Sequence, residues 1–188
     1  MKSGWLILAF LGLAACHSDY TPKPRGYFRI EPPAAEYVSL PPGQPYTFIL
    51  SKQASQVSFQ KEGVTLAYPE LRAKLYCSYF HTSAAKLDAD LEECRDLVAR
   101  QAEQADGIRE RAFSNPDAQV YGLLFLIDGQ SAAPLQFALT DSVSRFFRGA
   151  LYYDCPINAD SLLPVTRYLQ ADVEALIESF RWEEEKTK

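Results

Sequence analysis

The chain has 188 residues, enough for one domain with an arm. Hydrophobic residues make up 47 % and charged residues 23 %, a globular composition that excludes a disordered chain and a multi-span membrane protein. The net charge of −5 disfavours nucleic acid as a partner, and only two histidines, His17 and His81, leave little material for histidine-rich metal sites.

Residues 1–15 read as a targeting segment. Lys2 supplies the positive charge, and residues 5–13 form an apolar run too short to be a comfortable membrane span. The run ends in Leu13-Ala14-Ala15-Cys16, which a lipoprotein signal peptidase would accept, with Cys16 as the lipidated residue. An ordinary secretory signal with an incidental cysteine is the alternative. A diacyl or triacyl anchor buries several tens of methylenes at roughly 0.8 kcal/mol each, so lipidation would make membrane attachment effectively permanent. Losing residues 1–15 also removes Lys2, which takes the net charge to −6. The segment after Cys16 carries one acid, Asp19, rather than an acidic run that could mark surface export, so the protein is expected to face the periplasm. The outer membrane is the expected site of attachment, with the inner membrane as the alternative.

Residues 16–45 read as the lipid anchor and a proline-rich arm. Pro22, Pro24, Pro32, Pro33, Pro41, Pro42 and Pro45 oppose regular helix and central strand. The arm contains Tyr20-Thr-Pro-Lys-Pro-Arg-Gly-Tyr-Phe-Arg-Ile30, unusually rich in aromatics and cations for a linker. Tyr20, Lys23, Arg25, Tyr27, Phe28 and Arg29 are therefore the candidate docking residues for a partner, for the chain's own domain or for anionic headgroups.

A single α+β domain is expected over 46–182, followed by a charged tail over 183–188. Strands are expected over 46–51, 57–60, 64–68 and 73–80. A helix over 84–104 carries Leu87, Leu91, Cys94 and Val98 as one apolar stripe. Strands over 120–128, 135–140 and 145–154, with short links, imply an antiparallel meander. A last helix over 161–180 carries Leu162, Val165, Leu169, Val173, Leu176 and Phe180 on its apolar side. Ser161 or Asp160 is its expected cap, and Pro164 is placed in its first turn. The architecture is an antiparallel sheet packed by two main helices, with a fold-level resemblance to Mog1/PsbP-like domains.

Beyond Cys16, the remaining cysteines are Cys77, Cys94 and Cys155. Cys94 faces the sheet that carries Cys77, so a Cys77–Cys94 disulfide is the expected pair, with buried free thiols as the alternative. No nucleophile elbow, phosphate loop or zinc-protease motif is present, and no cofactor or metal is expected. His81 near Ser78, Thr82 and Ser83 could form a Ser–His pair, but a surface or capping histidine is the plainer reading. Asp128, Asp141, Asp154 and Asp160 recur at strand ends, where they could cluster or simply cap turns. The aromatic strands around Phe137, Phe146 and Phe147 more readily fill a core than line a ligand pocket.

The arm motif directly after Cys16 carries a family resemblance. With it go Val120-Tyr-Gly-Leu, Ala133-Pro-Leu-Gln-Phe, Thr140-Asp-Ser, Phe147-Arg-Gly-Ala-Leu-Tyr and Asp160-Ser-Leu-Leu-Pro-Val. Together they resemble the gliding-motility-associated lipoproteins of the GldD family of Bacteroidota. The resemblance implies a cell-envelope lipoprotein without catalytic residues. It implies an accessory or assembly role in gliding motility and type IX secretion, with envelope proteins of that apparatus as partners. A periplasmic lipoprotein that binds a small molecule or lipid between sheet and helices is the alternative, and a hydrolase built on His81 is a third.

Overall fold

The computed structural model describes residues 36–184 except Ile157. The targeting segment, Cys16 and the candidate docking residues Tyr20, Lys23, Arg25, Tyr27, Phe28 and Arg29 lie outside the described residues.

The chain runs β1 (Tyr37–Ser39), β2 (Tyr46–Thr47), β3 (Ile49–Ser51), β4 (Gln56–Gln60), β5 (Gly63–Tyr68), β6 (Ala73–His81), α1 (Leu87–Gln101), β7 (Ala105–Asn115), β8 (Val120–Gly129), β9 (Leu135–Thr140), β10 (Arg145–Tyr153), α2 (Ala159–Ser179) and β11 (Arg181–Trp182). Seven of the strands form one antiparallel sheet in the order β4-β5-β6-β10-β9-β8-β7. Two small pairs, β1 with β3 and β2 with β11, flank it. The fold is α+β, as expected.

Alternation along the strands builds two separate interiors. Val64, Leu66, Leu75, Cys77, Leu124, Leu126, Leu135, Phe137, Phe147 and Leu151 point to the α2 side, where Leu169, Val173, Leu176 and Ile177 meet them. Each such buried side chain contributes about 1.5–3 kcal/mol relative to an exposed one. On the other side, Cys94 of α1 packs on Ala138 and Phe146, and Val98 packs on Phe125 and Ile127. The aromatic strands are thus used in packing on both faces.

Gly149 faces the α2 side opposite Phe137. A Cβ there would meet the Phe137 ring at 2.3 Å, so glycine is what lets that ring lie against β10.

The expected disulfide is not formed: Cys77, Cys94 and Cys155 are free thiols. Cys77 belongs to the α2-side interior and Cys94 to the α1-side one, so the sheet itself stands between them. The helical stripe correctly aims Cys94 at a sheet. What it cannot specify is which face of that sheet the helix covers. Burial pushes both thiols up, fully for Cys77, which keeps them in the unreactive form. Thiol labelling of the folded protein is expected to modify Cys155 first and Cys77 only on unfolding. Rapid labelling of Cys77 in native buffer would refute this packing.

Three further differences have local causes. Residues 37–39, inside the segment read as arm, already form β1, and Leu40 is buried with its amide donating to the Phe48 carbonyl at 2.9 Å. The last helix begins two residues early because Asn158, not Ser161 or Asp160, is the cap, its side chain accepting from the Ser161 amide at 3.1 Å. Pro164 consequently sits inside the helix rather than in its first turn. Finally, β7 lies where no strand is expected. It is an edge strand, and Asp106, Arg109, Glu110 and Arg111 give it no apolar alternation.

Candidate functional site

The α2 helix buries one stripe in the core and leaves its opposite flank facing β7 and β8. Between that flank and the two strands lies an open cleft of about 610 Å³. Leu126, Ile127, Pro134, Leu162 and Leu163 give it apolar surface, and Leu163 stays 39 % exposed. Its polar rim holds Asp106, Arg109, Asp128, Asp160, Arg167 and Glu174.

Three of these are already paired. Arg109 grips Asp128 through a two-point fork, Nε to Oδ2 at 2.8 Å and Nη2 to Oδ1 at 2.9 Å. That fork holds the Asp128 carboxyl below its ordinary value. Both side chains are solvent-exposed, so the fork shapes the rim more than it stabilises the fold. Glu174 receives Arg111 from β7 and Gln170 from its own helix, the latter at 2.9 Å. The Arg111–Glu174 pair spans from strand to helix and closes one end of the cleft. At the inner wall the Tyr153 hydroxyl bonds Thr166 Oγ1 at 2.7 Å. Burial pushes that phenol up to about 12, with the Thr166 bond opposing.

Of the four strand-end carboxylates, the structure brings only Asp128 and Asp160 to a common site, this cleft. Asp141 is a turn residue: its Oδ1 accepts the amides of Val143, Ser144 and Arg145 at 2.8–2.9 Å. Asp154 lies apart, bonded through its backbone: its amide donates to the Arg72 carbonyl at 2.7 Å, and the Arg72 guanidinium donates to the Asp154 carbonyl. No four-carboxylate cluster exists among these residues.

The Ser–His pair is not assembled with Ser78. Ser78 lines a hollow on the α1 side, whereas His81, an odd number of residues along the same strand, points to the other side and stacks edge-on against Tyr79 at 5.5 Å. Thr82 instead donates to Asp90 of α1. Among the described residues no group of three or more His, Cys, Asp or Glu is placed to hold a metal ion. No described helix is long and apolar enough to cross a membrane.

A second polar cluster lies on the opposite flank of α2, and sequence reasoning missed it. Asp172 is only 3 % exposed, and its Oδ1 accepts the Tyr37 hydroxyl at 3.2 Å. Its Oδ2 has no hydrogen-bond partner. Tyr68, Tyr168 and Ser51 surround it. Burial pushes the Asp172 carboxyl up, and the Ser51 and Tyr37 hydroxyls offset only part of this. The signal was present: Asp172 interrupts the 169, 173, 176 stripe, a polar residue at a core position. Its partner Tyr37 sat in the segment read as arm.

Asp172 gives the protein a definite pH signature. A folded-state value raised above the unfolded value means that the native state holds this proton longer. The associated stability is present in full below about 3.9 and is lost as pH rises through the raised value. Asp172→Asn is therefore expected to flatten the fall in melting temperature between pH 4 and 8. Parallel melting curves for the two proteins across that range would mean that the carboxylate is not penalised.

An antiparallel sheet with a helix on each face defines an α+β domain, here with an open cleft of mixed polarity along one helix. Its family is set by sequence: a model of the gliding motility lipoprotein GldD matches residues 17–182, and the chain belongs to that family. The match spans both the arm and the domain. Membership makes this a membrane-anchored envelope lipoprotein with a role in gliding motility. No curated protein sequence matches the chain significantly.

Proposed function

We propose that the chain is a non-enzymatic accessory or assembly factor of the gliding and type IX secretion apparatus. In this reading a lipid on Cys16 holds it at the outer membrane, facing the periplasm. The arm, through Tyr20, Lys23, Arg25, Tyr27, Phe28 and Arg29, is a docking element. The domain presents the surface that meets envelope proteins of the apparatus.

One observation carries this reading: the family match is continuous from the residue after Cys16 to the end of the fold. Two structural features agree with it. Asp141 serves a turn and Asp128 an ion pair, and the aromatic strands pack in the two interiors.

The test is secretion in cells lacking the protein. Gliding and surface display of type IX cargo should both fail, and both should return with the native gene but not with Cys16→Ala. Normal cargo secretion in the null strain would remove the secretion half of the proposal. Full rescue by Cys16→Ala would remove the anchor.

A further inference from the structure

We infer that the arm segment 23–30 docks on its own domain, in the cleft between α2 and strands β7 and β8. This rests on the reading of the arm as a docking element and supplies its receptor.

The cleft asks for a cation with apolar neighbours. Four carboxylates, Asp106, Asp128, Asp160 and Glu174, stand against two guanidiniums, Arg109 and Arg167, a formal excess of two negative charges. Asp128 is taken by Arg109, and Glu174 by Arg111 from outside the cleft. Asp106 and Asp160 have no ion-pair partner among the described residues. Beside them Leu163 is left partly bare, an apolar side chain that a covering segment would bury.

The arm has the complementary chemistry. Between Tyr20 and Ile30 it carries Lys23, Arg25 and Arg29 and no acidic residue. Tyr27, Phe28 and Ile30 lie among them. An Arg–carboxylate pair at the wall of a cleft is less screened than one on open surface. An aromatic ring set on apolar floor adds its own burial.

The tether reaches. The chain enters the domain beside α2, where Tyr37 bonds Asp172 of that helix. The cleft lies on the other flank of the same helix, at Leu163, Gln170 and Glu174. Only residues 31–35 separate Ile30 from Glu36, and five extended residues span about 17 Å. A helix with its side chains is about 10–12 Å across. The segment can therefore cross α2, and an intramolecular tether of this length supplies an effective concentration on the order of millimolar. Weak contacts suffice. With Cys16 lipidated, docking at Lys23 would also leave seven residues, at most about 25 Å, between bilayer and domain.

The test is amide hydrogen exchange on the full lipidated protein in detergent, compared with the Lys23→Ala/Arg25→Ala/Arg29→Ala variant. Docking predicts exchange at least ten-fold slower in the native protein at 105–107, 129–131 and 159–163, with no difference at 56–60. The protection should shrink in 1 M salt. Asp106→Asn/Asp160→Asn should lose it as well, with a melting temperature that matches the arm variant's. Equal exchange in the native and arm-variant proteins overturns the inference. So does protection that rises with protein concentration, which would place the arm on a second copy, or protection that requires vesicles containing anionic lipid. The readout uses no motility or secretion, so its failure leaves the proposed function standing, and normal secretion in null cells would leave the docking standing.

Discussion

Phe147→Ala is expected to lower the unfolding free energy by about 3–5 kcal/mol, the cost of emptying a closed aromatic site. Phe147 is fully buried on β10. Its ring lies 4.6 Å from Tyr46, 5.0 Å from Phe180, 5.9 Å from Phe137 and 6.0 Å from Phe48. Those neighbours come from three parts of the chain. Tyr46 and Phe48 belong to the entry segment, Phe137 to the central sheet, and Phe180 to the exit from α2. The ring therefore joins both ends of the domain to its middle, and truncating it removes contacts that sequence-local structure cannot replace. A domain of this size has about 5–15 kcal/mol in total, so the variant should be close to its folding limit. Urea unfolding followed by Trp182 fluorescence gives the number, with Phe147→Leu as the milder control. A loss below about 1 kcal/mol would mean that the surrounding rings collapse into the space, which would contradict the packing described.

Asp141→Ala is expected to cost about 2–4 kcal/mol, because it strips the acceptor from three partly buried amide hydrogen bonds at once. The residue is 8 % exposed in the turn between β9 and β10. One carboxylate oxygen accepts from Val143, Ser144 and Arg145, and the other takes the Arg145 Nε at 2.8 Å. Ser142 beside it adopts a left-handed backbone, φ +65°, which this bonding holds in place. Burial by itself would raise the carboxyl. The Arg145 guanidinium and the amides outweigh it and hold the group well below the usual carboxylate range. Because the folded value is depressed, the stabilisation is present above the unfolded value near 3.9 and is lost as pH falls below it. Native protein should thus destabilise in acid more steeply than the Ala variant. Asp141→Asn should fall between the two, keeping amide acceptance but not the charge. Arg145 also lies over the Trp182 ring at 5.0 Å, so loosening this turn should reach β11 as well. Equal acid sensitivity of the native and Ala proteins would show that Asp141 does not control this window.

The Asp172 and Asp141 effects have opposite signs and separate windows. Asp141 withdraws stability below the ordinary carboxylate range, and Asp172 withdraws it above. Replacing either residue should therefore change the pH dependence of stability on its own side of that range only.

Much of the fold was legible because its signals are local. The strands expected at 64–68, 135–140 and 145–154 became β5, β9 and β10 with little change, β5 and β9 being buried along their whole length. The stripe through Leu169, Val173 and Leu176 became α2. The arm's aromatics and cations were conspicuous for the same reason: composition needs no partner to be read. The strand β7 escaped because an edge strand with charges on both faces has no period to detect. The rim of the cleft escaped with it, since Asp106, Arg109 and Arg111 all sit on that strand.

The sequence by itself carried two things about this protein: the α+β class, from the periods of its helices and strands, and the family, from motifs spread along the chain. Tertiary structure decided everything that depends on which face meets which. It put Cys77 and Cys94 on opposite sides of one sheet and scattered Asp141 and Asp154 away from Asp128 and Asp160. It set Asp172 under Tyr37 and opened the cleft beside α2. Periodicity says that a residue faces inward, but a sheet has two inward faces, and only the packing of α1 on one and α2 on the other assigns each side chain its neighbours.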